Sequence, residues 1–195
     1  MLLTPTDCDN RIVTLSLWDL YKNAKTLERT GWVKRNIPNP ETLDQHQIWA
    51  ALMITQRFRR QVEGLGIDIL GIQDTLLIHD LAEPDIRVWD ITPHCGISPE
   101  AKREIEEKVI REILSDKPYL LKLWLDYEDA RTPEWRFAME IDKLQAIEKA
   151  RYYEDLHNIP WLTEEFFTYS VIKKQQITTN FLLHYAVDLY ENKSR

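Results

Sequence analysis

The chain has 195 residues, 44% of them hydrophobic and 29% charged, with 7 Trp against only 5 Gly. That is enough for one ordinary domain with its own core, and too little glycine for an all-β chain full of tight turns. A net charge of -7 with a pI near 5.3 disfavours a nucleic-acid polymer as partner, while a small anionic substrate stays compatible because local cations or a metal override the global sign.

The opening "MLLTPTDCDN" has no basic stretch followed by an apolar run, and no segment of about 18 apolar residues occurs anywhere. A cytoplasmic protein with no membrane partner is expected. Cys8 and Cys95 belong to no CxxC pair, so neither a thiolate metal motif nor a disulfide framework is expected.

A first amphipathic helix is predicted over about 10–28. The loop "RTGWVKRNIPNPE" follows, marked by Gly31, Pro38 and Pro40. Thr42 and Gln45 form a capping box that opens a helix running to about Glu63, where "GLG" ends it. A third helix is predicted over Ile69 to Ala82, stopped by Pro84. Ser98-Pro99-Glu100 reads as N-cap, N1 proline and first-turn acid, and Ile105, Val109, Ile110, Ile113 and Leu114 then share one face. A shorter helix spans about Tyr119 to Tyr127. Thr132-Pro133-Glu134 opens a long one to about Leu156, and Thr163 opens the last, to about Tyr190. No long segment alternates with period two, so the fold class is all-α. One domain over 1–195 is expected, with its core at about 29–156 and the last helix, about 163–190, packed on it.

Four residues on inward faces converge in this pattern. His46 has Trp49, Ala50 and Met53 at i+3, i+4 and i+7. His79 follows Ile72 and Leu76 on the same face, and Asp80 is one residue on. Asp142 is flanked by Ala138 and Ala146 at i−4 and i+4. A carboxylate facing inward is costly unless paired or bound to a metal. Taken singly, an inward His is more often a core residue. The ordered set His…His-Asp…Asp, with gaps of 33 (79−46) and 62 (142−80), points instead to a mixed N/O site for one divalent ion. Such a site leaves positions open for water or substrate.

This set resembles the HD-domain metal-dependent phosphohydrolases, closest to their 5'-deoxynucleotidase-like branch. The resembling stretches are "RTGWVKRNIPNPETLDQH", "LLIHDLAE", "WDITP" and "MEIDKLQAIEKARYYEDL", which cover most of Arg29 to Leu156. The resemblance implies an all-α helical bundle with a metal site in its core. It implies one divalent ion (Mn, Co, Fe, Ni, Zn or Mg) on His46, His79, Asp80 and Asp142. It also implies hydrolysis of a small phosphorylated partner, a nucleoside 5'-monophosphate and in particular a deoxyribonucleotide. Glu83 matches the acid of "HDxxE" and takes the role of activating or directing the attacking water. Its other reading is an exposed carboxylate at a helix end.

The chain also departs from the pattern it resembles. Gln45 stands where an acid usually precedes the first His. Gly31-Trp32 stands where some members carry Arg-Trp. Trp32 is kept for packing against a sugar or base, and Arg29, Lys34 and Arg35 are the nearby cations for phosphate; the other reading of this cluster is a solvated loop. The pattern places an Asp, within Gly-Asp, nine residues after the motif His, whereas Asp90 stands eleven after (90−79) and follows Trp89. The segment from Pro84 to Asp90 is therefore longer by two, with Asp85 and Arg87 as added charges at the expected mouth. Asp90, Arg35 and Arg87 are the expected substrate-orienting groups. The alternatives are hydrolysis of a different phosphate ester on the same site, or a non-catalytic protein of this class that binds metal and nucleotide. Trp124, Tyr127, Trp135, Tyr152 and Tyr153 read as core or as the face of a homodimer.

Overall fold

A computed structural model describes residues 15–85, 88 and 96–192. Among them the only β feature is an isolated bridge between Glu28 and Thr42, and everything else regular is helical. The elements are α1 (Leu17–Ala24), α2 (Thr30–Val33), α3 (Leu43–Arg57), α4 (Arg59–Glu63), α5 (Ile69–Ile78), α6 (Pro99–Ile113), α7 (Pro118–Glu128), α8 (Pro133–His157), α9 (Leu162–Phe167) and α10 (Asn180–Glu191). The all-α expectation stands. None of these helices is long and apolar enough to cross a membrane.

The start signals behave as the sequence predicts. Ser98 Oγ accepts the Ala101 N–H ahead of Pro99, and Gln45 Oε1 accepts the Thr42 N–H at 3.2 Å. Several boundaries differ. The first helix, expected over about 10–28, is α1 and ends at Ala24, with residues 10–14 outside the described ones, and the expected loop after it contains the short α2. The helix expected from Thr42 to Glu63 breaks at Phe58, giving α3 and α4. The helix expected to reach Ala82 ends at Ile78, because the His79 ring takes the Leu76 carbonyl at 2.8 Å, the acceptor that a further turn would use. Short turns then carry the chain to Pro84, with Glu83 N–H on Asp80 O at 3.0 Å. The helix expected over 163–190 is split: α9 runs into a π turn, Thr168–Lys173, then an irregular stretch before α10.

The 25-residue α8 is the spine. α3, α5, α7, α9 and α10 all pack against it, and α3 also packs along α5. The core between them is Met53, Ile54, Ile72, Leu76, Ile110, Leu114, Trp124, Ile141, Leu144 and Ile147. Trp124, Tyr127, Trp135 and Tyr153 are core residues, while Tyr152 is exposed. Two α8 carboxylates hold the starts of the later helices: Glu154 accepts the Thr163 N–H at 3.0 Å, and Glu140 accepts the Thr178 hydroxyl and the Thr179 N–H at 2.7 and 2.9 Å.

Candidate functional site

The first turn of α3, the chain just past α5 and the middle of α8 meet at one point. His46 Nε2 stands 3.0 Å from Asp142 Oδ1, 3.4 Å from His79 Nε2 and 3.7 Å from Asp80 Oδ2. His79 Nε2 stands 3.2 Å from Asp80 Oδ2 and 3.6 Å from Asp142 Oδ1. Ligands about 2.1 Å from one ion and about 90–110° apart lie about 3.0–3.4 Å from each other, so these separations are close to a coordination shell. His46, His79 and Asp80 form a group that could hold a metal ion, and Asp142 joins them by distance.

The tautomers agree with that fit. Gln145 Nε2 donates to Glu41 Oε2 at 3.0 Å, so its Oε1 is left as the acceptor for His46 Nδ1 at 2.7 Å. His79 Nδ1 likewise donates to the Leu76 carbonyl. When neutral, both rings would therefore turn an Nε2 lone pair to the same point as two carboxylates. A metal cation, or a proton on His79, satisfies such a set of acceptors. Burial opposes a charged His79, but Asp80 and Asp142 outweigh it and the pKa is raised to about 10. Burial also opposes charge on Asp80 and Asp142. The nearby cationic groups win, chiefly His79 and Arg29 at Asp80 and Lys143 at Asp142, and hold both carboxyls below the usual range.

Cations ring these carboxylates. Arg29 lies 2.7 Å from Asp80 and 4.0 Å from Glu83, Lys143 lies 2.6 Å from Asp142, and Lys102 lies 3.3 Å from Glu83. Glu83 is 7% exposed, which sets aside the exposed helix-end reading. Behind the site, Glu41 accepts from Trp32 Nε1 at 2.9 Å as well as from Gln145. Two cavities open here. A cleft of about 750 Å³ is lined by His79, Asp80, Asp142, Lys102, Lys143 and Tyr127 among others, a size suited to a small molecule. A smaller one of about 130 Å³ lies among Arg29, Trp32, Glu41, Glu83 and Gln145.

Other expected contacts are placed differently. Gln45 is exposed and caps α3; the partner of the His46 ring is Gln145. Trp32 is 3% exposed and packs on Phe166 and Tyr153, at centroid distances of 4.6 and 5.3 Å, and it also lines the smaller cavity rather than the large one. Arg35 lines neither cavity: its Nε–Nη2 edge pairs with Glu165, its Nη1 donates to the Gly31 carbonyl at 2.6 Å, and the group lies over Phe166. Asp85 is buried rather than at a mouth. Arg87 and Asp90 lie outside the described residues. Glu41, Gln145, Lys102 and Lys143 are the members that sequence spacing did not single out. The one signal for Gln145 was its place at i+3 from Asp142, and for Glu41 its place beside the capping box.

A family model described as HD domain matches residues 21–182. The protein 5'-deoxynucleotidase HDDC2 of Mus musculus is 33% identical over 154 residues, which span 76% of this chain and 73% of that protein. Its namesake in Dictyostelium discoideum is 32% identical over 148 residues, spanning 72% and 77%. The PH0347 protein from Pyrococcus horikoshii OT3 shares the fold, with a TM-score of 0.71 at 24% identity over 89% of this chain and 96% of that one.

Proposed function

The chain belongs to the HD-domain family, and from that premise we propose that it is a metal-dependent phosphohydrolase that releases phosphate from nucleoside 5'-monophosphates, deoxyribonucleotides in particular. The observation that carries this is the convergence of His46 Nε2, His79 Nε2, Asp80 Oδ2 and Asp142 Oδ1, three of whose residues, His79, Asp80 and Asp142, line the large cleft. These four residues hold one divalent ion, of the set Mn, Co, Fe, Ni, Zn or Mg. When bound, the ion supplies the Lewis acid that polarises a phosphoryl oxygen and makes water more acidic.

The chain's own groups do the rest. Lys143, Lys102 and Arg29 set positive charge around the carboxylates, where a phosphate dianion needs it. Glu83 takes a proton from the attacking water as the water oxygen bonds to phosphorus and the P–O ester bond breaks, and the leaving oxygen takes up a proton from solvent to give the nucleoside hydroxyl. Its placement suits that role: it is held one short turn from Asp80, between two cations. Asp90, two residues later than in the family pattern, and Arg87, a charge added in the same lengthened segment, are assigned to orienting the substrate. The named activity of the HDDC2 relatives supports the same reaction class.

His79→Ala and Asp80→Ala are expected to lose bound metal, read by elemental analysis, and to lose phosphate release from a panel of deoxynucleotides, ribonucleotides and sugar phosphates. Full activity in either variant sinks the assignment. Release from sugar phosphates alone moves it to a different ester.

A further inference from the structure

Two further carboxyl groups line the large cleft and have no part in the proposed chemistry, Glu106 on α6 and Glu128 on α7. A carboxylate beside a phosphate dianion repels it; a carboxyl that keeps its proton is a donor instead. Glu106 is placed to keep one. Its side chain is 13% exposed. Burial pushes its carboxyl up to about 7, with Lys102 pulling it down and the negative charges of Asp80 and Glu128 pushing it further up. Arg103, the other cation on this stretch of α6, is paired with Asp129.

Lys102 ties Glu106 to the water-directing acid. It stands one turn from Glu106 on α6, at 3.2 Å, and the same ammonium lies 3.3 Å from Glu83. The two carboxyls share one cation and yet line different spaces: Glu83 the smaller cavity, Glu106 the large cleft. At about 130 Å³ the smaller cavity has room for a few waters, at about 30 Å³ each, but not for a nucleoside. The cleft of about 750 Å³ has room for one. Phosphoryl transfer sets the attacking and leaving oxygens roughly in line across phosphorus. Water arriving on the Glu83 side therefore expels the nucleoside oxygen into the space that Glu106 lines.

We propose that Glu106 is the general acid of the reaction and delivers a proton to the leaving 5'-oxygen. As the P–O bond breaks, its electron pair stays on that oxygen and takes the Glu106 proton, giving the nucleoside hydroxyl and a Glu106 carboxylate. Glu83 meanwhile holds the proton taken from water. Exchange with solvent restores both groups, so the proton on the leaving oxygen comes from solvent by way of Glu106. While Glu106 is protonated, the Lys102 ammonium is left to Glu83, which must be ionised to act as base. Holding two carboxyls in opposite states divides acid and base work between them. This inference rests on the phosphohydrolase reading and adds to it the route of the second proton.

The active form of Glu106 is the protonated one, so kcat of the metal-loaded protein for dAMP is expected to fall as pH rises through about 7. With 4-nitrophenyl phosphate, whose phenolate leaves without a proton, no such fall is expected. Glu106→Gln keeps the shape and a hydrogen-bond donor but has no proton to give. It is expected to lose roughly 100-fold in kcat on dAMP with KM little changed, and roughly ten-fold less than that on 4-nitrophenyl phosphate. The fall above about pH 7 should vanish in the variant, and elemental analysis should find its metal retained. Carbon-13 carboxyl shifts follow the titration of Glu106 without turnover. Equal losses on the two esters, a fall with pH that survives in Glu106→Gln, metal lost from the variant, or Glu106 titrating at an ordinary value of about 4 overturns the inference. In each of these cases phosphate release by the wild type leaves the phosphohydrolase reading standing, whereas no release from any ester overturns both.

Discussion

His46 presents its Nε2 to the site because of what stands behind its ring. Glu41 is 2% exposed and can only accept. It takes the Trp32 indole N–H and the Gln145 amide N–H, and so fixes which end of the Gln145 amide faces His46. The amide oxygen in turn requires a proton on Nδ1, and the lone pair is left on Nε2. Glu41→Gln breaks this order, because an amide at 41 can donate and lets Gln145 turn its NH2 toward the ring. Metal affinity is expected to fall about 10- to 100-fold while the helical signal is kept. A metal titration measures the first, and ¹⁵N shifts of His46 show the exchanged tautomer directly. Unchanged affinity removes Glu41 from the site. The same contacts explain why Gln45 is harmless next to the first His: it points to the helix cap, and the acid that matters stands four residues earlier.

The helices show which parts of the fold the sequence carries openly. His46 and Asp142 are legible from spacing, since apolar or small residues at i±3 and i±4 put them on inward faces. The starts at Thr42 and Ser98 are legible because caps are local, and the one after Thr132 because Pro133 suits a first helical position. The end of α5 is not, since a side chain from within the helix competes for the Leu76 carbonyl and no spacing announces it. The split between α9 and α10 is not legible either. No Pro or Gly marks residues 168–180; the break is stabilised from α8, where Glu140 captures Thr178 and Thr179 from 38 and 39 residues away. Glu140 and Glu154 are 14 residues apart on α8, nearly four whole turns, so one face of that helix seats the starts of both α9 and α10. Glu140→Ala removes two hydrogen bonds, one of them to a backbone N–H, at a cost of about 1–3 kcal/mol. A lower midpoint in urea is expected with metal content unchanged. No shift in the midpoint would mean that α10 docks through its apolar face alone.

At the scale of the molecule the four ligand positions tie together segments far apart in sequence: α3, the turn after α5, and α8. One buried and one half-buried carboxylate and two buried rings at one point repel or desolvate one another unless a cation is shared among them. The ion is therefore expected to act as a cross-link for the fold as well as a reagent. Binding that is confined to the folded state stabilises it by mass action, about 2.7 kcal/mol when free metal is at 100 times Kd. For a chain of this length 1 kcal/mol moves Tm by roughly 2–4 °C. Protein stripped with a chelator is thus expected to melt roughly 5–10 °C below the same protein given manganese or cobalt. Asp142→Asn separates this from nonspecific effects of salt. It removes one ligand charge and keeps the side chain's shape, so the metal-dependent part of the shift should shrink or vanish, whatever the variant's own Tm. Scanning calorimetry of the two proteins, each with and without metal, gives the four numbers needed. A metal shift of equal size in both places the stabilising ion somewhere other than beside Asp142.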